Sequence, residues 1–260
     1  MSKNLIKTEQ ELNYLRKSGV ITAKALKKVI ENSKPGITLL ELDKIAENEI
    51  KQNGGESSFK TVPGYNFTTC LTLNDEVVHG LPRDIKLQSG DVLGIDVGAV
   101  FQGWHTDTSW SIIIGGQVTS YREQEEKQRF LEVGEKTLWE AISKSTEGKR
   151  IGDISAQIQQ GVEDAGYNVV KSLSGHGIGT NLHEEPEVPT FGKIKTGLKL
   201  KRSMALAIEV IYTMGSGKVY EDQGNGGTIV AADHSLGGLF EMSVIVGKKG
   251  AEILTDWRKI

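Results

Sequence analysis

Four carboxylates stand in stretches where an acid is costly. Asp96 lies in Leu93-Gly94-Ile95-Asp96-Val97-Gly98, and Asp107 in Trp104-His105-Thr106-Asp107-Thr108-Ser109-Trp110. Glu209 lies in Ala205-Leu206-Ala207-Ile208-Glu209-Val210-Ile211, and Glu241 in Gly238-Leu239-Phe240-Glu241-Met242-Ser243. A single acid in a strand ordinarily faces water. Four of them in apolar runs, with no lysine or arginine run opposite, must pair, take up protons or bind a cation. The histidines narrow the choice. His176 sits in Ser174-Gly175-His176-Gly177-Ile178-Gly179, His183 in Leu182-His183-Glu184-Glu185-Pro186, and His79 in Val77-Val78-His79-Gly80-Leu81-Pro82. A lone histidine beside glycine is commonly a surface or core residue. Three of the chain's five in Gly- or Pro-flanked turns point instead to a cleft. One imidazole with four carboxylates is an oxygen-rich donor set that suits two divalent first-row ions, and the imidazole tilts the choice away from Mg.

Other chemistries lack their landmarks. There is no CxxC pair for a structural zinc site. No Gly-x-x-x-x-Gly-Lys-Ser/Thr loop and no Gly-x-Ser-x-Gly elbow occurs. The glycines from Gly175 to Gly179 lack the acidic partner of a dinucleotide site. With 31 Lys+Arg against 34 Asp+Glu, the net charge of -3 gives no support for nucleic-acid binding. A single cysteine, Cys70, excludes an internal disulfide and suits a reducing compartment. No signal-peptide-like run opens the chain, and no stretch approaches the roughly 18 apolar residues of a membrane span. The expectation is a cytoplasmic protein with no membrane partner.

The elements that must hold these residues follow from periodicity. Leu12, Leu15, Ile21, Ala25, Leu26, Val29 and Ile30 predict a helix over 8–33, stopped by Pro35-Gly36. Thr38 and Glu41 form a capping box for a second helix that ends at Gly54-Gly55. Residues 68–79 and 91–114 favour strands, and 122–145 and 153–165 favour helices. Beyond Asn168, apolar runs at 204–212, 227–232 and 239–246 alternate with turns, and 186–202 reads as a long Pro- and Lys-rich loop. Its lysines read as a solvated surface, with docking of an anionic partner the competing reading. The chain also resembles itself at an offset of 112 (148 minus 36): Gly36, Leu42, Ile50 and Gly54 match Gly148, Ile154, Val162 and Gly166, and Leu26 and Ile30 match Leu138 and Ile142. Chance is the competing explanation, since helices share such stops. Two helix-helix-strand halves need a sheet to bury their helices, so an α+β fold in one domain over 1–260 is expected.

The order Asp, Asp, His, Glu, Glu, with the aspartates eleven positions apart (107 minus 96), resembles type I methionine aminopeptidases, metallopeptidases of the pita-bread fold. The resemblance runs through Lys7-Thr8, Gly64-Tyr65, Cys70, Asn74, Val77 to Pro82, Gly90 to Gly98, Gly103 to Asp107, and Gly175 to Gly179 with His183-Glu184-Glu185-Pro186. It implies a pseudo-two-fold pair of halves around a curved antiparallel sheet. It implies that Asp96 chelates one metal ion, that Asp107 and Glu241 bridge two, and that His176 and Glu209 complete the second site. The ions would be Co, Mn, Fe, Zn or Ni, sharing a bridging hydroxide. His79 and His183 would contact substrate at the scissile amide, with Glu209 as proton shuttle and Tyr65 and Cys70 lining the pocket. The substrates would be nascent chains beginning with methionine and a small second residue, and the ribosome a partner. An Xaa-Pro peptidase of the same fold and a non-catalytic binding protein are the alternatives. The pocket departs from the family pattern at Val62, at Leu182 and across 213–238, which holds no tryptophan.

Overall fold

The computed structural model of the chain describes residues 5–115 and 120–260. Residues 1–4, which open the N-terminal segment read above, and 116–119 lie outside the described residues. Helices α1 (Glu9–Asn32) and α2 (Leu39–Gln52) both begin with a capping box. Thr38 N donates to Glu41 Oε2 at 2.8 Å, and Glu41 N donates back to Thr38 Oγ1 at 3.2 Å. Short strands β1 (Glu56–Ser57), β2 (Thr69–Leu73) and β3 (Glu76–Val78) follow, then the long hairpin β4 (Val92–Phe101) and β5 (Trp104–Ile113). The second half opens with α3 (Tyr121–Ile142) and α4 (Ile151–Glu163). Then come β6 (Asn168–Val169), β7 (Ser174–Gly177), β8 (Glu184–Pro189), β9 (Ala205–Thr213), β10 (Val219–Asp222), β11 (Thr228–Ala231), β12 (Gly237–Ile245) and β13 (Glu252–Ile253).

The internal repeat is structural. α1 and α3 start 112 residues apart (121 minus 9), and so do α2 and α4 (151 minus 39). Gly36 and Gly148, at φ 95° and 91°, turn the chain between the helices of each pair. Such left-handed backbone is what glycine supplies without a Cβ penalty. The residue before each second helix, Thr38 or Arg150, makes an isolated antiparallel bridge to Lys86 or Lys199.

One ten-stranded sheet runs β1-β4-β5-β12-β9-β7-β8, with β2, β6 and β13 attached to β4, β9 and β12. Its β-period separates two faces. Leu93, Ile95, Val97 and Ala99 of β4 and Leu206, Ile208, Val210 and Tyr212 of β9 join the large core with the helices. Alternate residues, the acids among them, point to the opposite face. The chain thus adopts the pita-bread fold, with helices covering one side of a curved antiparallel sheet and the other side left for a site. A second sheet, β10-β11-β3, stands beside it. No helix among the described residues is long and apolar enough to cross a membrane.

Two local expectations are corrected. The stretch expected as a loop from 186 begins as strand, because β8 reaches Pro189. Its buried positions are Pro186 and Val188, alternating with exposed Glu185 and Glu187. Prolines hide this pattern in sequence, and they are tolerated because β8 is an edge strand. His176 lies within β7, paired to β9, and not in a turn.

Candidate metal centre and active site

The strand register assembles the site in two rows. In the first, Cys70 pairs with Asp96, Asp96 with Ser109, Ser109 with Glu241, and Glu241 with Glu209. In the second, Gly98 pairs with Asp107, Ser243 with Ala207, and Ala207 with His176. Ser243 lies beside Asp107, taking its N–H at 3.1 Å and donating to its carbonyl at 2.8 Å. Asp107 and Ser109, like Ala207 and Glu209, are two apart, so both rows face the same side. Ser109 and Glu241, 132 positions apart (241 minus 109), become lateral neighbours because antiparallel pairing puts them opposite each other.

The rows floor a cavity of about 560 Å³. All nine residues singled out in the sequence line it: Asp96, Asp107, His176, Glu209, Glu241, His79, His183, Tyr65 and Cys70. Asp107, His176 and Glu241 each bring one ligand atom within 4.8 Å of the others. Ser109 Oγ lies 2.8 Å from Asp96 Oδ1 and 2.9 Å from Glu241 Oε2. One hydroxyl proton serves only one acceptor, so the second contact needs a proton on a carboxyl or a cation nearby.

The electrostatics agree. Burial, opposed by the Ser109 hydrogen bond, pushes Asp96 up to about 7. Burial and then mutual repulsion hold Asp107, Glu209 and Glu241 well above the usual carboxylate range. Burial lowers His176 to about 4, so its imidazole is neutral. His176 Nδ1 donates to Gly177 O at 2.8 Å. The remaining lone pair on Nε2 therefore faces Asp107 Oδ2, 3.6 Å away. Two acceptors that close repel each other unless a proton or a cation lies between them. No lysine or arginine lines the cavity among the described residues. This donor set fits divalent ions, with neutral imidazole and carboxylate oxygens as ligand atoms.

The other histidines face the space above the floor. His79 follows β3 at φ 59°, a left-handed conformation that costs energy for a non-glycine residue and turns its ring into the cavity. Gly80 is required beside it, because a Cβ there would collide with the Leu71 carbonyl. His183 stacks edge-on against His176, with ring centroids 4.5 Å apart. Burial lowers both His79 and His183. On one wall the Tyr65 hydroxyl donates to Thr69 O at 2.6 Å and lies 3.1 Å from Cys70 Sγ. Burial raises the Cys70 thiol, which stays protonated beside Tyr65. Val62, Leu182 and the glycines of 226–227, where the sequence departs from the family pattern, all line the same cavity. Sequence reasoning passed over Ser109 and Glu221. Ser109 had a signal, its spacing of two from Asp107; Glu221 had none.

A model of metallopeptidase family M24 matches residues 13–246. A methionine aminopeptidase from Clostridium perfringens is 38% identical, over 96% of this chain and 98% of that one. The crystal structure of methionine aminopeptidase from Thermotoga maritima superposes with a TM-score of 0.91 at 36% identity, covering 98% of this chain and 99% of that one. Prolidase from Pyrococcus furiosus, 22% identical with a TM-score of 0.76, covers 96% of this chain but 65% of its own, and shares the fold alone.

Proposed function

The chain belongs to metallopeptidase family M24, and from this we propose that it releases N-terminal methionine from polypeptides whose second residue is small, using two divalent ions. The observation that carries the reading is the convergence of four carboxylates and a neutral imidazole on the floor of one cavity. Asp96, Asp107, His176, Glu209 and Glu241 would hold the ions, drawn from Co, Mn, Fe, Zn or Ni. When bound, such ions acidify water and polarise the scissile carbonyl. Glu209, beside Glu241 at the end of the first row, would carry a proton to the leaving amine. His183, neutral because burial opposes its charge, would donate an N–H to the developing oxyanion. His79, which lines the same cavity, would help orient the amide. Phe59, Tyr65, Cys70 and Leu182 offer an apolar slot for an unbranched thioether. One domain over 1–260 would act on nascent chains in the cytoplasm, in association with the ribosome.

The test is release of methionine from Met-Ala-Ser by chelator-stripped protein resupplied with Mn, Fe or Co. Methionine should appear only with metal. Its absence with every one of these ions would sink the reading, and failure to take up metal at all would favour a binding protein. Faster cleavage of Ala-Pro than of Met-Ala would move the assignment to an Xaa-Pro peptidase.

A further inference from the structure

Glu221 is the one carboxylate lining the cavity, among the described residues, that is not on its floor. It stands on β10, in the smaller sheet whose strand β3 leads into His79. Its side chain is exposed, as are those of Val62, His79, Ser172 and His183, while Asp107, His176 and Glu241 are buried. Glu221 therefore marks the rim. Its carboxylate makes no hydrogen bond or ion pair among the described residues. It leans over the bare turn Gly226-Gly227, where a Cβ on Gly227 would fall 3.0 Å from Oε1. No side chain on that turn screens it from the cavity. Two divalent ions would neutralise the four floor carboxylates, which leaves Glu221 as the uncompensated charge along the exit path. Its negative charge already acts on His79, opposing the shift that burial causes.

An extended peptide advances about 3.3 Å per residue. With the first residue on the buried floor and the second beside the exposed histidines, the third would lie at the open edge that Glu221 shares. Resting on the aminopeptidase reading, we propose that Glu221 is a specificity-determining residue that favours substrates with lysine or arginine in third position, pairing its carboxylate with the cation as the chain leaves the cavity.

The test compares kcat/KM of the metal-loaded protein on Met-Ala-Lys-Ser, Met-Ala-Gln-Ser and Met-Ala-Glu-Ser. At low salt the lysine peptide should be preferred over the glutamate peptide by about fivefold, the scale of an exposed charge interaction. The ratio should shrink as salt rises, which a merely structural role would not produce. Glu221→Gln should bring the ratio close to one, and Glu221→Lys should invert it. A wild-type ratio near one, or a ratio that survives Glu221→Gln, overturns the proposal. No methionine from any of the three peptides removes the aminopeptidase reading itself, and this inference with it.

Discussion

At the residue scale the site depends on side chains that share protons or cations. Ser109 spans Asp96 and Glu241, and Ser243 fixes the backbone of Asp107. Groups that only position ligands typically matter by about 10–100-fold in metal affinity or activity. Ser109→Ala should therefore weaken metal binding by about that factor in a competition titration, with methionine release recovering at high metal concentration. Asp107→Asn removes a proposed ligand and should lower kcat/KM by more than about 100-fold while thermal unfolding stays cooperative. Near-full activity in Asp107→Asn would break the ligand assignment.

At the element scale, glycines and caps decide where the strands and helices can deliver those side chains. Gly80 packs its α-carbon against β2 so that His79 can turn inward. Gly80→Ala should destabilise the fold by about 1–3 kcal/mol through overpacking, read as a lower denaturant midpoint. It should also raise KM, because His79 shifts with its neighbour. Unchanged stability and KM would show that the close approach is not needed. The capping boxes are local and independent of the site. Thr38→Ala should cost about 1 kcal/mol and leave kcat/KM alone.

At the scale of the whole molecule, folding gathers four acids into one low-dielectric floor, so stability depends on pH and on metal. Asp96 is raised to about 7, above its unfolded value, and its neighbours are raised as well. A carboxyl with a raised folded pKa contributes stability that is fully present below its unfolded pKa and is lost as pH rises through the folded one. The metal-free protein should thus lose thermal stability between pH ~4 and pH ~7, as the unfolded chain gives up protons that the fold retains. Saturating Mn should abolish that decline, since ions replace the protons and bind only the folded state. A melting temperature that is flat with pH in the metal-free protein would contradict the buried acid floor.

The sequence by itself determined whatever has a local cause. The apolar period set all four helices, Thr38 and Glu41 set a cap, and the glycines at 36, 54, 148 and 166 marked the repeat that the helix starts then followed. The types of the candidate ligands were legible too, because an acid in an apolar run is expensive wherever it lies. Only the tertiary structure decided how these residues meet. Register across β4, β5, β12 and β9 placed Asp96, Ser109, Glu241 and Glu209 in one row, and pairing of β7 with β9 drew His176 out of the expected turn. β8 is a strand for the same reason, since its edge partner supplies the ladder its own residues do not advertise. The charge at the rim was likewise invisible in the sequence: nothing local separates Glu221 from any exposed acid, and only the position of β10 beside the cavity gives it a direction to face.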